Sequence, residues 1–150
     1  MGRKSGGKPS QAIAWKDEYL IGIDAVDRDH QSLINRFNDI LDRQPATHSA
    51  EAIQETIGGL EAIFKDHFDN EEAVMAAIGF PELAEHREKH ETFLRMLAEL
   101  RQFRPGCGDF NEYFLRAFRN WIVYHITVND REIGRFLAAK PAPSAGSAAP

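Results

Sequence analysis

Five of the six histidines stand beside acids at spacings that a helix would bring together. They occur as Asp27-Arg28-Asp29-His30, His67-Phe68-Asp69-Asn70-Glu71, His86-Arg87-Glu88-Lys89-His90 and His125-Ile126-Thr127-Val128-Asn129-Asp130. His67 and Glu71 are four residues apart, as are His86 and His90. On an α-helix such a pair shares one face, one turn apart, so both side chains reach a single metal ion. Imidazole suits zinc, copper, iron and nickel, and a carboxylate has two oxygens with which to bridge two ions. Burying so many polar groups without a partner is costly. The set therefore points to metal binding rather than to a row of satisfied core histidines. His48, in the turn Pro45-Ala46-Thr47-His48-Ser49, is expected at the surface, and Glu85, Arg87, Glu88 and Lys89 read as a solvated helix face.

Other metal motifs fit poorly. A zinc protease needs Glu directly after the first histidine of an HxxxH pair, and Arg87 stands there. Di-iron carboxylate proteins of the ferritin type use Glu-x-x-His on two helices, and the chain has none; the nearest approach is Asp27-x-x-His30.

Breakers divide the chain into four long periodic segments. The first, 25–43, carries a stripe of Val26, Leu33, Ile34, Phe37, Ile40 and Leu41, with Asp24 placed to cap its start. The second, 49–78, turns Ile53, Ile57, Leu60, Ile63, Phe64 and Phe68 inward and ends at Gly79-Phe80-Pro81. Its Gly58-Gly59 pair costs roughly 1 kcal/mol per glycine relative to alanine, so either a kink or a closely approaching neighbour is expected. The third, 82–103, presents Phe93, Leu94, Met96, Leu97 and Leu100. After Pro105-Gly106-Cys107-Gly108, Asp109 is placed to cap the fourth, which runs to 138 through Phe110, Phe114, Phe118, Trp121, Ile122, Ile126 and Ile133.

Four such segments joined by short turns fold most simply as an all-α, up-down-up-down antiparallel four-helix bundle. Trp15, Tyr19 and Ile23 lead into it as an extended arm. The expected organisation is a disordered leader at 1–12, the bundle at 13–140 and a disordered, low-complexity tail at 141–150. Each helix carries at least one of the five histidines, at heights compatible with one layer in the core. One spacing conflicts with ideal geometry. His125 and Asp130 are five residues apart, about 140° around a regular helix. Bringing both to one site requires a π-type bulge or a sideways reach by Asp130.

A formal net charge of −5, with no basic stripe along any segment, argues against nucleic acid as a partner. No apolar run is long enough to span a bilayer. There is no secretory signal, and the single Cys107 cannot form an internal disulfide, so a cytoplasmic location is expected.

The motifs together resemble the hemerythrins, and the bacterial branch in particular. The resemblance is carried by Trp15, Tyr19, Gly22-Ile23 and Val26-Asp27-Arg28-Asp29-His30-Gln31, and by His67-Phe68-Asp69-Asn70-Glu71-Glu72 with Met75 and Gly79-Phe80-Pro81. His86-x-x-x-His90 with Phe93-Leu94, and Trp121-Ile122-Val123-Tyr124-His125-Ile126 with Asp130, complete it, so that it covers about 15–137. One member of that family, myohemerythrin, is itself an up-down-up-down bundle, so the fold expectation and the resemblance are not independent.

The resemblance implies two non-haem iron ions with a bridging oxo or hydroxo group. It assigns His86, His90 and His125 to one iron and His30 and His67 to the other, with Glu71 and Asp130 bridging. With one bridging oxygen, that set falls one bond short of two octahedral ions, and the open position lies on the iron held by two histidines. It further implies that dioxygen binds there reversibly, within a dry wall of apolar side chains, as in an oxygen carrier, store or delivery protein that is a monomer and not an enzyme. The alternatives left open are an oxygen or redox sensor acting through a partner protein, and a di-iron enzyme acting on peroxide or nitric oxide. Zinc or manganese occupancy is a further alternative. A histidine phosphotransfer bundle would leave four of the five histidines unexplained.

Overall fold

The computed structural model describes residues 11–43, 49–102 and 110–141, with side chains from 113 onward in the last stretch. Residues 1–10 of the expected leader, 142–150 of the expected tail, the turn containing His48, and Cys107 with the Asp109 cap lie outside the described residues. The expected leader runs to residue 12, but the ordered arm begins earlier, with Gln11 buried and Ala12 packed against the core. Helix α1 (Asp24–Asp42) is followed by α2 (Ala50–Ile78), α3 (Leu83–Gln102) and α4 (Phe110–Tyr124). The last continues through a π turn at His125–Asp130 into α5 (Arg131–Ala139). Among the described residues there is no strand, and the chain forms the four-helix bundle that its periodicity predicts.

Two apolar clusters plug the bundle, and the polar residues of interest fall between them. The larger contains Leu33, Phe37, Phe64, Phe68, Phe93 and Ile126; the smaller contains Ile21, Val26, Met75, Phe80 and Ile133. Along α1 the order is Val26, His30, Leu33; along α2 it is Phe68, Glu71, Met75; through the π turn it is Ile126, Asp130, Ile133. Each helix thus passes from one dry plug to the other through the polar layer. Phe37 and Phe64 are fully buried, which stabilises the fold by about 1.5–3 kcal/mol each. Met96, expected in the core, is 39% exposed, because Phe93 and Leu97, one turn apart, already fill the inward face of α3.

The ends of the helices follow local chemistry, with one correction. Ser49 caps α2, its Oγ accepting the Ala52 N–H at 3.1 Å. Gly79 closes it at φ 70°, and the Phe80 N–H reaches back to the Met75 carbonyl at 2.9 Å, a Schellman ending. Asp24 does not cap α1: Ile23 holds that position without a side-chain hydrogen bond, and Asp24 is the first helical residue. The first turn of α1 has no side-chain cap; instead the buried Asp27 carboxylate ties the arm to the helix, accepting the N–H groups of Ile21 (2.8 Å) and Gly22 (3.1 Å). Gly22 makes this turn at φ 89°, which a side chain would resist.

Helix α2 runs unbroken through Gly58-Gly59, so no kink forms there; a Cβ at Gly59 would stand 3.4 Å from the Ile40 side chain, an ordinary contact with α1. The entry arm contains one 3-10 turn, Asp17–Tyr19, and is pinned by a reciprocal pair of hydrogen bonds. Asn38 Oδ1 accepts from Ile13 N at 2.9 Å, and Asn38 Nδ2 donates to Ile13 O at 2.8 Å. Further on, the arm crosses α5 at Gly134, where backbone meets backbone.

Candidate metal centre

His30, His67, Glu71, His86, His90, His125 and Asp130 all converge on the layer between the plugs, each at most 3% exposed. They fall into two groups whose candidate ligand atoms lie within 4.8 Å of one another. One is His30, His67, Glu71 and Asp130; the other is His86, His90, His125 and Glu71.

The two carboxylates lie across the groups with their oxygens divided. Glu71 Oε1 faces His30 Nε2 at 3.3 Å, while Oε2 faces His86 Nε2 at 3.2 Å and His90 Nε2 at 3.1 Å. Asp130 Oδ2 faces His30 Nε2 at 3.0 Å, while Oδ1 faces His86 Nε2 at 3.1 Å and His125 Nε2 at 3.0 Å. Close as they are, many of these atoms are not aimed at one another. His30 Nε2, His67 Nε2, Glu71 Oε1 and both Asp130 oxygens are buried without a hydrogen-bond partner. Unsatisfied polar atoms at this depth are expensive, and their distances without hydrogen-bond geometry fit lone pairs directed at common points between them.

Asp130 reaches the layer because the helix widens. The six-residue π turn His125–Asp130 places its two end residues on one side of the helix, where a regular α-helix would part them. The expected bulge is therefore present, and Asp130 is fully buried.

The outer edges of three imidazoles are held by acceptors. His67 Nδ1 donates to Asp29 Oδ2 at 2.6 Å, His90 Nδ1 to Glu72 Oε1 at 2.8 Å, and His125 Nδ1 to Asn129 Oδ1 at 3.1 Å. A carboxylate or amide oxygen accepts only, so these contacts keep a proton on each Nδ1 and turn Nε2 inward. His90 Nε2 and His125 Nε2 stand 3.0 Å apart, an arrangement that calls for a cation or a shared proton between them. Asp29 is steadied by Asn70 Nδ2 (3.3 Å) and Glu72 by Arg87 Nε (2.8 Å).

Spacing alone could have revealed Asn129, four residues after His125. Asp29 and Glu72 reach across to other helices, which no local spacing encodes. Arg87, read from sequence as part of a solvated face, is exposed but also orients Glu72.

Aromatic rings wall the layer on the side of the larger plug. Phe68 stacks on His90 with centroids 3.8 Å apart, Trp121 on His125 at 4.4 Å, and Phe93 on Trp121 at 3.9 Å.

Electrostatically the layer is a trap for positive charge. Burial alone would drive the imidazolium form of His30 down, but the Asp130 and Glu71 carboxylates outweigh it and raise its pKa to about 10. The same opposition raises His125 to about 9 and also raises His86. Burial favours the neutral form of Glu71 and Asp130, yet the surrounding histidines hold both carboxyls below the usual range. Two buried carboxylates ringed by five imidazole nitrogens suit a pair of divalent cations, which would satisfy every orphaned atom named above.

Comparison with known proteins matches the Hemerythrin HHE cation binding domain over residues 21–137. A bacteriohemerythrin of Stenotrophomonas maltophilia is 31% identical over 120 residues, covering 79% of this chain and 77% of that protein. A bacteriohemerythrin of Clostridium acetobutylicum is 28% identical over 125 residues, covering 80% and 97%. Among solved structures, a leucine-to-tyrosine variant of a hemerythrin superposes with a TM-score of 0.70 at 26% identity, covering 85% of this chain and 98% of the other.

Proposed function

The chain belongs to the hemerythrin family, and from that premise we propose that it binds dioxygen reversibly at a non-haem di-iron centre, as an oxygen carrier, store or delivery protein. The observation that carries this reading is the split of each carboxylate, one oxygen of Glu71 and of Asp130 turned toward each histidine group. In it, His30 and His67 would hold one iron and His86, His90 and His125 the other, with Glu71 and Asp130 offering one oxygen to each. The iron pair, when bound, would supply the two electrons that dioxygen takes up and gives back.

The residues of the chain do the rest. Asp29, Glu72 and Asn129 keep the protons of His67, His90 and His125 on Nδ1, so each Nε2 stays available as a ligand. Phe68 and Trp121, stacked flat on His90 and His125, fix the two ring planes and exclude water from that side. The smaller plug of Val26, Met75 and Ile133 seals the opposite side. Dryness matters because water and acids promote irreversible oxidation of a reduced metal that should release its ligand unchanged. The functional unit in this reading is 13–140. It extends to a cytoplasmic monomer, in keeping with a single cysteine that forms no internal disulfide. Among the described residues, no helix is long and apolar enough to cross a membrane.

The test is an anaerobic visible spectrum of the Fe(II)-loaded protein, taken again after oxygen is admitted and again after argon sweeps it out. A charge-transfer colour that comes with oxygen and leaves with argon is the expected result. Colour that decays to a stable oxidised form would favour a redox sensor, and sustained turnover of peroxide or nitric oxide with a reductant would favour an enzyme. Either outcome contradicts the carrier reading.

A further inference from the structure

Of the clefts between α1 and α2, the helices that carry His30 and His67, two are lined by Asp29 and Asn70 beside the metal layer. One, of about 360 Å³, is polar, with Asp29, Arg36, Asp66 and Asp69 around the edge of His67. The other, of about 290 Å³, has Ala25 and Val26 of α1 on one wall and Ala73 and Val74 of α2 on the other. Asn70 and Asp29 line both clefts, and the hydrogen bond between them (3.3 Å) stands at the edge the clefts share. The apolar crevice starts at Ala25 and Ala73, both exposed, and ends on Val26 and Glu71, which are 2% and 1% exposed. Its inner end is thus lined by Glu71, a residue of the metal layer.

The approaches from α3 and α4 differ. A smaller cleft of about 130 Å³ beside His86 mixes Phe80 and Val128 with four charged residues, Glu82, Glu85, Lys89 and Glu132. A groove along α3 ends on Phe93 and Trp121, whose stacked rings lie over His125 and close the way inward.

We infer that the Ala25–Ala73 crevice is the entry path for a small apolar gas, which is dioxygen if the proposed function holds. A neutral diatomic partitions into apolar walls, whereas a charged cleft keeps its water. Ala25 and Ala73 line the crevice from the two adjoining helices, and their short side chains leave its outer part open. The path arrives from the side of His30 and His67, the group with fewer histidines.

An entry path is not part of the bound state, and this separates the inference from a structural role. Narrowing a path slows arrival and departure by one common factor and leaves the equilibrium affinity unchanged. Ala73→Phe and Ala25→Phe narrow it from opposite walls at exposed helical positions, so one variant reports if the other fails to fold. Thr92→Phe, in the groove over Trp121, is the control. Association is read by rapid mixing of the Fe(II)-loaded protein with oxygen, and dissociation by mixing the oxygenated form with a scavenger. In each alanine variant both rates should fall together by about tenfold, equivalent to ~1.4 kcal/mol of added barrier, with Kd and melting temperature preserved and Thr92→Phe unaffected.

Unchanged rates in both alanine variants, a slowing confined to Thr92→Phe, or a change in Kd at constant association rate would each overturn the path. A second readout needs no iron: xenon, which occupies apolar cavities, should bind between Ala25, Ala73 and Glu71 in pressurised crystals of the full chain. Its absence there would also overturn the inference. Failure of the wild-type protein to bind oxygen reversibly would instead overturn the proposed function, and the xenon result would still decide the crevice.

Discussion

His125 and Asp130 stand with Nε2 and Oδ1 3.0 Å apart, although five residues of one helix separate them. The π turn between them makes this contact, and among the described residues it holds the one carboxylate that the fourth helix contributes to the layer. A locally unfavourable backbone at this point is the kind of feature that persists because a site requires it.

Asp130→Asn keeps the shape of that side chain and removes its charge and one bridging oxygen. The account predicts that iron content falls from two ions per chain to one or fewer, while helix content, read by circular dichroism, stays as it was. Two tightly bound ions in this variant would mean that Asp130 does not bridge.

The acceptors behind the histidines should each act on a different ion. Asp29→Asn loosens His67, and Glu72→Gln loosens His90, each lowering affinity for its own ion by about 10–100-fold. Stepwise titration with Fe(II) or Co(II) under anaerobic conditions would resolve the two events. Equal weakening of both ions by either variant would contradict the division of the site.

Much of this was legible before any coordinates. The histidine and acid spacings named all seven residues of the layer, and the conflict between His125 and Asp130 foretold the distorted helix. What escaped were contacts made across the fold. The cap expected of Asp24 is absent, and Asp27 instead binds the amides of Ile21 and Gly22 because the arm folds back over the first turn of α1, a path no local pattern records. Met96 matches its apolar neighbours in sequence, yet lies off the stripe that Phe93 and Leu97 set. Asp29 and Glu72 look like ordinary surface acids until His67 and His90 are seen beside them.

The charge trap gives opposite pH trends with and without metal. In the metal-free chain, His30 and His125 hold their protons up to about 10 and about 9, against ~6.5 for an unfolded chain. Stability from these two protonations is fully present below about pH 6.5 and is lost as the pH rises through those raised values. Glu71 and Asp130 are shifted the other way, so their contribution is present above about pH 4 and is lost only as the pH falls further, through their lowered values. Metal-free protein should therefore melt at its highest temperature near about pH 5–6 and weaken toward pH 9. Metal must displace those protons, so its apparent affinity should climb over the same range. Melting curves with and without metal across this range would contradict the account if both rose together.

Gly134 tests the arm. A Cβ there would lie 1.9 Å from the Ile21 carbonyl oxygen, a contact that backbone cannot relieve without moving. Gly134→Ala should destabilise the protein by about 1–3 kcal/mol, lowering its melting temperature and releasing the Ile21 and Gly22 amides to hydrogen exchange. Unchanged protection of those amides would show that the arm does not depend on this close approach.

The most direct test of the whole account is anomalous diffraction at the iron edge from crystals of the iron-loaded protein. The account predicts two iron peaks, one bonded to His30 and His67 and one to His86, His90 and His125, with Glu71 and Asp130 each touching both. A single peak, or two peaks with either carboxylate bound to only one of them, would contradict it.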